Sequence, residues 1–459
     1  MYALLRAIAG LALRWHYSDI QVVGTDHVPR RRPMLLVVNH PNALVDALLV
    51  GWIMPRRVLI TAKATLFTNP FAGVILRWLG VVPLRRASDE HAATTGDGAL
   101  DQSRNAQTFA AVHAALRRGG CVLIFPEGRS LDEPALLPLK TGAARMALHA
   151  HEAGDVPGLV ILPIGLVFEE KQTPRSRVLV TVGEPIDVAE WVANIDAAHR
   201  VERLTDDIAT NLRALTLNYS SLDEAARATR LATVTAAILE DAPPIGVIDR
   251  RYAAEATIAR RIDLLSRRLP FADEDLRTRA DNVVGRIEEV ATLARRYDLP
   301  LEDVRIDLTM LPATRFVARE LWFLLIAGPI AFWGWLNHWL PLRAARTVAQ
   351  RNIESNADPA MRTIVAGAAF VVIAYLAQAF IVRTIFGWPI AALYLLTLPI
   401  AAEANFAFAD RWRRLRRRAR AFFVFRKHRD FHTRVSTEMA ALRADVVALD
   451  RDLLSVSPP

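Results

Sequence analysis

The chain has 459 residues, more than one ordinary domain needs, so two or three regions are expected. Its formal net charge of +9 admits either nucleic acid or an anionic membrane surface as partner, and its single cysteine, Cys121, excludes an intrachain disulfide and a Cys-based metal site. The position of the charge separates the two partners. Trp412 to Arg420, WRRLRRRAR, directly follows a long apolar segment, where juxtamembrane basic clusters sit, and no zinc-finger spacing or other nucleic-acid signature is present. The reading is membrane lipid, and no nucleic acid.

Residues 1–18 read as an amphipathic helix, with Leu4, Leu5, Ile8, Leu11 and Leu13 apolar and Trp15 and Tyr17 at its edge. Such a helix lies in a membrane interface or packs on the protein's own core; a strong basic n-region and a clear cleavage site, as in a signal peptide, are missing. From Ile20 to Val182, short β-branched runs alternate with helical stretches, which predicts an α/β fold. The strands expected are Ile20–Val23, Met34–Val38, Val58–Thr61, Val81–Leu84, Val122–Phe125, Val160–Leu166 and Val178–Val182. The helices expected are Leu44–Ile53, Phe71–Leu79, Ala106–Arg118 and Thr141–Ala153, with a polar surface loop at residues 87–104.

Beyond Pro185 the pattern turns helical, with long candidates at Ala193–Asn218 and Leu222–Glu240 and a stretch from Arg250 to Tyr297 broken at Pro270. Three apolar segments follow, residues 321–342, 364–382 and 385–402, each about the 17 to 25 residues that cross a hydrocarbon core, with Trp322, Trp339, Trp388 and Tyr394 as interface anchors. If all three span, the arginines at 411–420 end opposite the N-terminal domain, against the positive-inside rule. A two-span hairpin is therefore preferred, with the first segment, which holds Gly328 and Pro329, re-entrant or interfacial. The regions expected are a helix at 1–18, an α/β domain at 19–189, a helical region at 190–310, membrane segments within 311–410 and a basic helical tail at 411–459.

Four stretches carry candidate chemistry. In NHPNALVD, Asn39 to Asp46, an apolar strand delivers His40 to a turn at Pro41, and Asp46 follows on the first turns of a helix. An imidazole at a strand end with a carboxylate a turn away is how a general base is held; equally, His40 caps a helix and Asp46 is a solvated first-turn acid. In VLIFPEGRS, Val122 to Ser130, the turn at Glu127, Gly128 and Arg129 emerges where open α/β sheets bind ligands, and Arg129 offers a forked donor matched to phosphate. Lys140, Thr141 and Gly142 open a helix nearby, a favourable place for an anion. In GVVPLRR, Pro83 marks an edge or ending strand, and Arg85 and Arg86 at its exit form a basic wall or a plain soluble surface. VILPIGL, residues 160–166, reads as a strand lining an apolar cleft. Cys121, inside an apolar run, reads as a small buried hydrophobe.

These four stretches, in this order, resemble the four blocks of the glycerolipid acyltransferases, a family that includes the glycerol-3-phosphate and lysophosphatidate enzymes. The resemblance covers about residues 19–185, and the wording with Pro41 and Asn42 is more similar to the branch acylating glycerol 3-phosphate or dihydroxyacetone phosphate. It implies an α/β acyltransferase domain with a mixed sheet flanked by helices. By position, His40 matches the general base and Asp46 the residue that orients and charge-stabilises it. Arg85 or Arg86, and Glu127, Gly128 and Arg129, match acceptor-binding residues, the arginines taking the phosphate. Pro163 falls in a block associated with the acyl donor or with structural support, and no role is carried to Lys63 or Lys140. One departure stands out: five residues, not the usual four, separate His40 from Asp46. The longer spacing is that of the glycerol-3-phosphate branch, and the turn has to absorb the extra residue if Asp46 is to reach the imidazole.

The activity implied is transfer of a fatty acyl group from acyl-CoA or acyl carrier protein, as co-substrate, to a phosphorylated glycerol-type acceptor in phospholipid biosynthesis. A thioester is already activated, so neither metal nor cofactor is expected, nor a covalent intermediate. The alternatives are a 1-acylglycerol-3-phosphate acyltransferase and an inactive lipid-binding scaffold. The location expected is a bacterial inner membrane, with the catalytic domain cytoplasmic.

Overall fold

The structure, a computed structural model, describes residues 2–63, 82–84, 109–130, 133–171, 173–239, 251–297, 310–351 and 359–456. The chain divides into two compact units, one comprising residues 1–217 with 356–364 and the other residues 218–355 with 365–459. The boundary at Leu217 lies later than the expected one at residue 189.

The first unit holds, in chain order, α1 (Tyr2–His16), β1 (Asp19–Val23), β2 (Met34–Val38), α2 (Ala43–Ile53), β3 (Val58–Lys63), β4 (Val82–Leu84), α3 (109–117), β5 (Cys121–Ile124), α4 (Gly142–Glu152), β6 (Val160–Phe168), β7 (Arg177–Val182), β8 (Ile186–Asp187), α5 (Val188–Asn194) and α6 (Arg200–Leu215). The strands form one mixed sheet in the order β1-β7-β6-β2-β5-β3-β4, with β8 paired to β6. Neighbours are parallel except at β6, which meets β7 and β8 antiparallel. The seven expected strands are present at slightly different bounds, and β8 is an addition. The helix expected at Phe71–Leu79 and the loop at 87–104 lie outside the described residues.

Alternation along the central strands buries both faces. Met34, Leu36 and Val38 pack with α1 and α2, whereas Leu35 and Val37 pack with α3, α4 and α6. Leu204, Ile208 and Leu212 of α6, spaced by one helical turn, complete the second face. That is why residues 190–217 belong to the sheet rather than to the helical region. The single helix expected at Ala193–Asn218 is two, separated at residues 195–199, where His199 takes a left-handed φ of +62°. Pro83 sits on the edge strand β4, where its missing N–H is harmless. Of the two places open to the N-terminal helix, α1 takes the protein's own core: Leu13 is buried, and Gly10 lies so close to the Trp52 indole that a Cβ there would come within 2.3 Å of it.

The second unit holds α7 (Leu222–Leu239), α8 (Arg251–Arg268), α9 (Glu274–Arg296), α10 (Met310–Arg351), α11 (Pro359–Phe386) from Val365 onward, α12 (Trp388–Lys427) and α13 (Arg429–Ser455). Among the described residues, three helices are long and apolar enough to cross a membrane: Ala318–Val348, Thr363–Phe386 and Trp388–Lys427. The first segment, expected to be re-entrant or interfacial, belongs to one unbroken helix that carries Pro329 and Pro341 internally. A proline inside a helix removes one hydrogen bond without reversing the chain, and neighbouring helices steady it. α10 and α12 run antiparallel: Glu320 accepts from Arg411 at one end, and Tyr394 donates to Asn337 Oδ1 at 2.5 Å near the other. Between them Gly334 lies against Ala401, leaving no room for a side chain. The basic stretch 411–420 lies within α12, following its apolar part. Beyond it, Ala421 and Phe425 are enclosed by Val234 and Ile238 of α7, Val283 and Ile287 of α9, and Val435 and Met439 of α13. The expected helical region and basic tail are therefore parts of one bundle.

Candidate active site

The register of the sheet builds the site. β2 and β5 are parallel neighbours with Val37 opposite Ile124, so the chain leaves both at one edge, and His40 and Glu127 each lie three residues beyond that pair. Ligands of open α/β sheets bind at this edge, beyond the carboxyl ends of the strands. Asn39 closes the other flank by donating to the Leu166 carbonyl at 3.0 Å and accepting from its N–H at 2.7 Å, which continues the β2–β6 ladder through a side chain.

His40 and Asp46 are brought together. The imidazole Nδ1 lies 2.9 Å from Asp46 Oδ2, with the Asp46 side chain fully buried and that of His40 13% exposed. Oδ2 also accepts the Asn42 N–H at 2.7 Å. The extra residue of the turn is absorbed because Ala43, the first residue of α2, takes φ +42°, a left-handed value seldom adopted outside glycine, asparagine and aspartate. With Nδ1–H donating to the carboxylate, the Nε2 lone pair can accept a proton. The alternative of a solvated first-turn acid is excluded by the burial of Asp46. That burial pushes its carboxyl above the usual carboxylate range, while the bonds from His40 and Asn42 pull the other way.

Glu127 is placed differently from a residue that reaches into solvent. It is buried, and its two oxygens accept the main-chain N–H groups of His40 at 2.6 Å and Leu137 at 3.2 Å. Burial raises its pKa, opposed by these two bonds. Gly128 has φ +75° and donates its N–H to Phe125 O at 3.1 Å, closing the tight turn that glycine permits. Arg129 is exposed beside it, and Lys140 N donates to Pro126 O at 2.8 Å, so the start of α4 adjoins the same turn. Arg85 and Arg86 lie outside the described residues. Cys121 is fully buried in β5, and burial pushes its thiol up to about 12.

Four further residues complete the site, none of which the sequence reading had placed beside His40. The Phe125 ring stacks on the His40 imidazole, centroids 3.7 Å apart and planes 12° from parallel. Ser130 Oγ accepts the Ala43 N–H at 2.9 Å. Asn42, wholly buried, donates through Nδ2 to the Tyr17 hydroxyl at 3.0 Å, tying the turn to the end of α1. The wording FPEGRS contains Phe125 and Ser130, but only the strand register shows that they face the His40 turn. Among the described residues, no group of three or more His, Cys, Asp or Glu is arranged to hold a metal ion.

A buried carboxylate holds an imidazole at the open edge of a mixed sheet, latched by a second strand-end turn, and the class that these residues match is that of the Acyltransferase family model, over residues 19–167. Within the class, the chain is similar to "Glycerol-3-phosphate O-acyltransferase 2" of Saccharomyces cerevisiae, 37% identical over 122 residues, which are 26% of this chain and 16% of the relative. It is also similar to "1-acyl-sn-glycerol-3-phosphate acyltransferase alpha" of Homo sapiens, 31% identical over 131 residues, 28% of this chain and 42% of the relative. Among solved structures, the 1-acyl-sn-glycerophosphate acyltransferase of Thermotoga maritima aligns over 46% of this chain and 78% of its own, with 17% identity and a TM-score of 0.34. The chain spans less than half the length of the curated relatives it matches first.

Proposed function

We propose that the protein is a membrane O-acyltransferase that moves a fatty acyl group from acyl-CoA or acyl carrier protein to a hydroxyl of glycerol 3-phosphate or dihydroxyacetone phosphate. The observation that carries this reading is the 2.9 Å contact between His40 Nδ1 and the fully buried Asp46. His40 Nε2 takes the proton from the acceptor hydroxyl as its oxygen attacks the thioester carbonyl. The tetrahedral intermediate collapses with cleavage of the C–S bond, and the thiolate leaves with the proton returned by the imidazolium. The products are an ester and a free thiol, so atoms and charge balance without a further reactant. Asp46 offsets the imidazolium charge during the step. Arg129, together with Arg85 or Arg86, takes the acceptor phosphate, and Gly128 keeps the turn that presents it. Glu127 contributes to acceptor binding by fixing that turn beside His40.

The catalytic domain is read as cytoplasmic on a bacterial inner membrane. The pairing of Glu320 with Arg411 supports this, because it sets the start of α10 level with the basic stretch 411–420 of α12, the side that the positive-inside rule makes cytoplasmic. The test is acyl transfer by purified membranes with glycerol 3-phosphate, dihydroxyacetone phosphate and lysophosphatidate in parallel. Activity with either of the first two that is abolished in His40→Ala supports the reading. Exclusive use of lysophosphatidate would move the protein to the other branch, and full activity in His40→Ala would overturn the mechanism.

A further inference from the structure

The Phe125 ring lies face to face with the His40 imidazole. Two neutral rings avoid lying face to face and prefer offset or edge contacts with centroids about 4.5–7 Å apart. Here the centroids are 3.7 Å apart and the planes only 12° from parallel. A cation over the face of an aromatic ring, in contrast, is attracted by the ring quadrupole. The ring cannot slide away: Phe125 follows the Ile124–Val37 register pair, its carbonyl accepts from Gly128, and its side chain packs against the core that contains Val38, Val45 and Leu166. The imidazole is equally fixed, by Asp46 on its edge and by Glu127 on its main-chain N–H.

We infer that Phe125 is a positioning residue of the acyl transfer, holding the His40 ring in plane and using its π face to favour the imidazolium that forms when His40 takes the acceptor proton. The inference rests on the reading of His40 as general base. A neutral imidazole gains little from the stacked face and a charged one gains more, so the contact strengthens as the ring takes up the acceptor proton and accelerates the chemical step. Asp46 acts on the same charge from the ring edge and Phe125 acts from its face.

The test uses the full-length protein in membranes, following thiol release from about pH 5 to 9, the range in which an imidazole titrates. Phe125→Leu removes the π face while keeping an apolar side chain. It is expected to lower kcat about tenfold, equivalent to ~1.4 kcal/mol, to leave both KM values within about twofold, and to move the acid limb of the kcat profile to lower pH. Phe125→Trp is expected to restore both kcat and the limb. Pentafluorophenylalanine at position 125 fills nearly the same space with the quadrupole reversed and is expected to behave like leucine, which separates charge stabilisation from packing even where the leucine variant folds poorly. An unmoved acid limb, or a fluorinated enzyme indistinguishable from wild type, would overturn the inference. His40→Ala runs beside them. Full activity in that variant would remove the general base and this inference with it, whereas loss of activity leaves Phe125 judged on its own variants.

Discussion

Replacing Asp46 by asparagine tests the site through two opposite effects. The carboxylate lies 2.9 Å from the imidazole nitrogen and accepts a second bond from Asn42 N at 2.7 Å. An asparagine whose oxygen occupies the Oδ2 position keeps both bonds and loses only the charge. Two unit charges with centres about 4 Å apart interact by ~4 kcal/mol at an effective dielectric constant near 20, so kcat is expected to fall about 10³-fold. The alternative rotamer sets an NH₂ group against Nδ1, forces the other imidazole tautomer and is no more active. Stability is expected to move the other way. Burial raises the Asp46 pKa in the folded protein, which then holds the proton more tightly than the unfolded chain does. Its contribution to stability is complete below the unfolded value of about 4 and is lost as pH rises through the raised folded value, so at neutral pH the charge is a cost. Asp46→Asn is therefore expected to unfold at an equal or higher temperature than wild type at neutral pH while losing about 10³ in kcat. Thiol release and thermal unfolding of the same detergent-solubilised preparation check both. Activity within tenfold of wild type would refute the charge role of Asp46, and a large drop in Tm would show that its hydrogen bonds outweigh the burial of its charge.

Three other outcomes are expected. Glu127→Gln leaves one acceptor where two main-chain N–H groups converge, so one buried donor is unpaired. A loss of about 1–3 kcal/mol in unfolding free energy together with lower kcat is expected from denaturant titration and thiol release. Arg129→Ala, at an exposed position, is expected to raise the acceptor KM with kcat nearly unchanged, and an unchanged KM would remove the phosphate assignment. Within the apolar helices, His338 Nδ1 donates to Gly334 O at 2.7 Å, and Nε2 accepts from the Tyr375 hydroxyl at 2.6 Å. A double-mutant cycle of His338→Phe and Tyr375→Phe is expected to show a coupling of about 0.5–2 kcal/mol in helix association, and zero coupling would show that the pair does not hold α11 to α10.

Hydrophobic period made most of the first unit readable. Short unbroken apolar runs give β2 and β6, and Pro83 marks the edge strand. The unit boundary was not readable, because Leu204, Ile208 and Leu212 form a helical stripe like any other, and only the sheet they cover tells which unit they serve. The break at His199 was hidden for a related reason: a left-handed non-glycine residue leaves no compositional mark. In the apolar region, Gly328 and Pro329 suggested a re-entrant or interfacial segment, and α10 stays helical through both. In the site, the motif wording brought out His40, Asp46 and the FPEG turn. It did not show which of them face one another, since that depends on the register of β2 against β5.

That register also accounts for the length of the His40 turn. Its main-chain N–H groups point away from any strand or helix partner, and each is taken by a side chain: His40 N by Glu127, Asn42 N by Asp46 and Ala43 N by Ser130, while Pro41 has none to satisfy. Two of the three acceptors come from the turn after β5. The left-handed Ala43 costs about 1–2 kcal/mol, and three hydrogen bonds, two of them to buried carboxylates, offset it. NHPNALVD and FPEGRS are thus one interlocked structure. The five-residue spacing brings Asp46 to the imidazole because Glu127 and Ser130 hold the turn open at its two ends, and a substitution at either of them disturbs the base without touching the dyad itself.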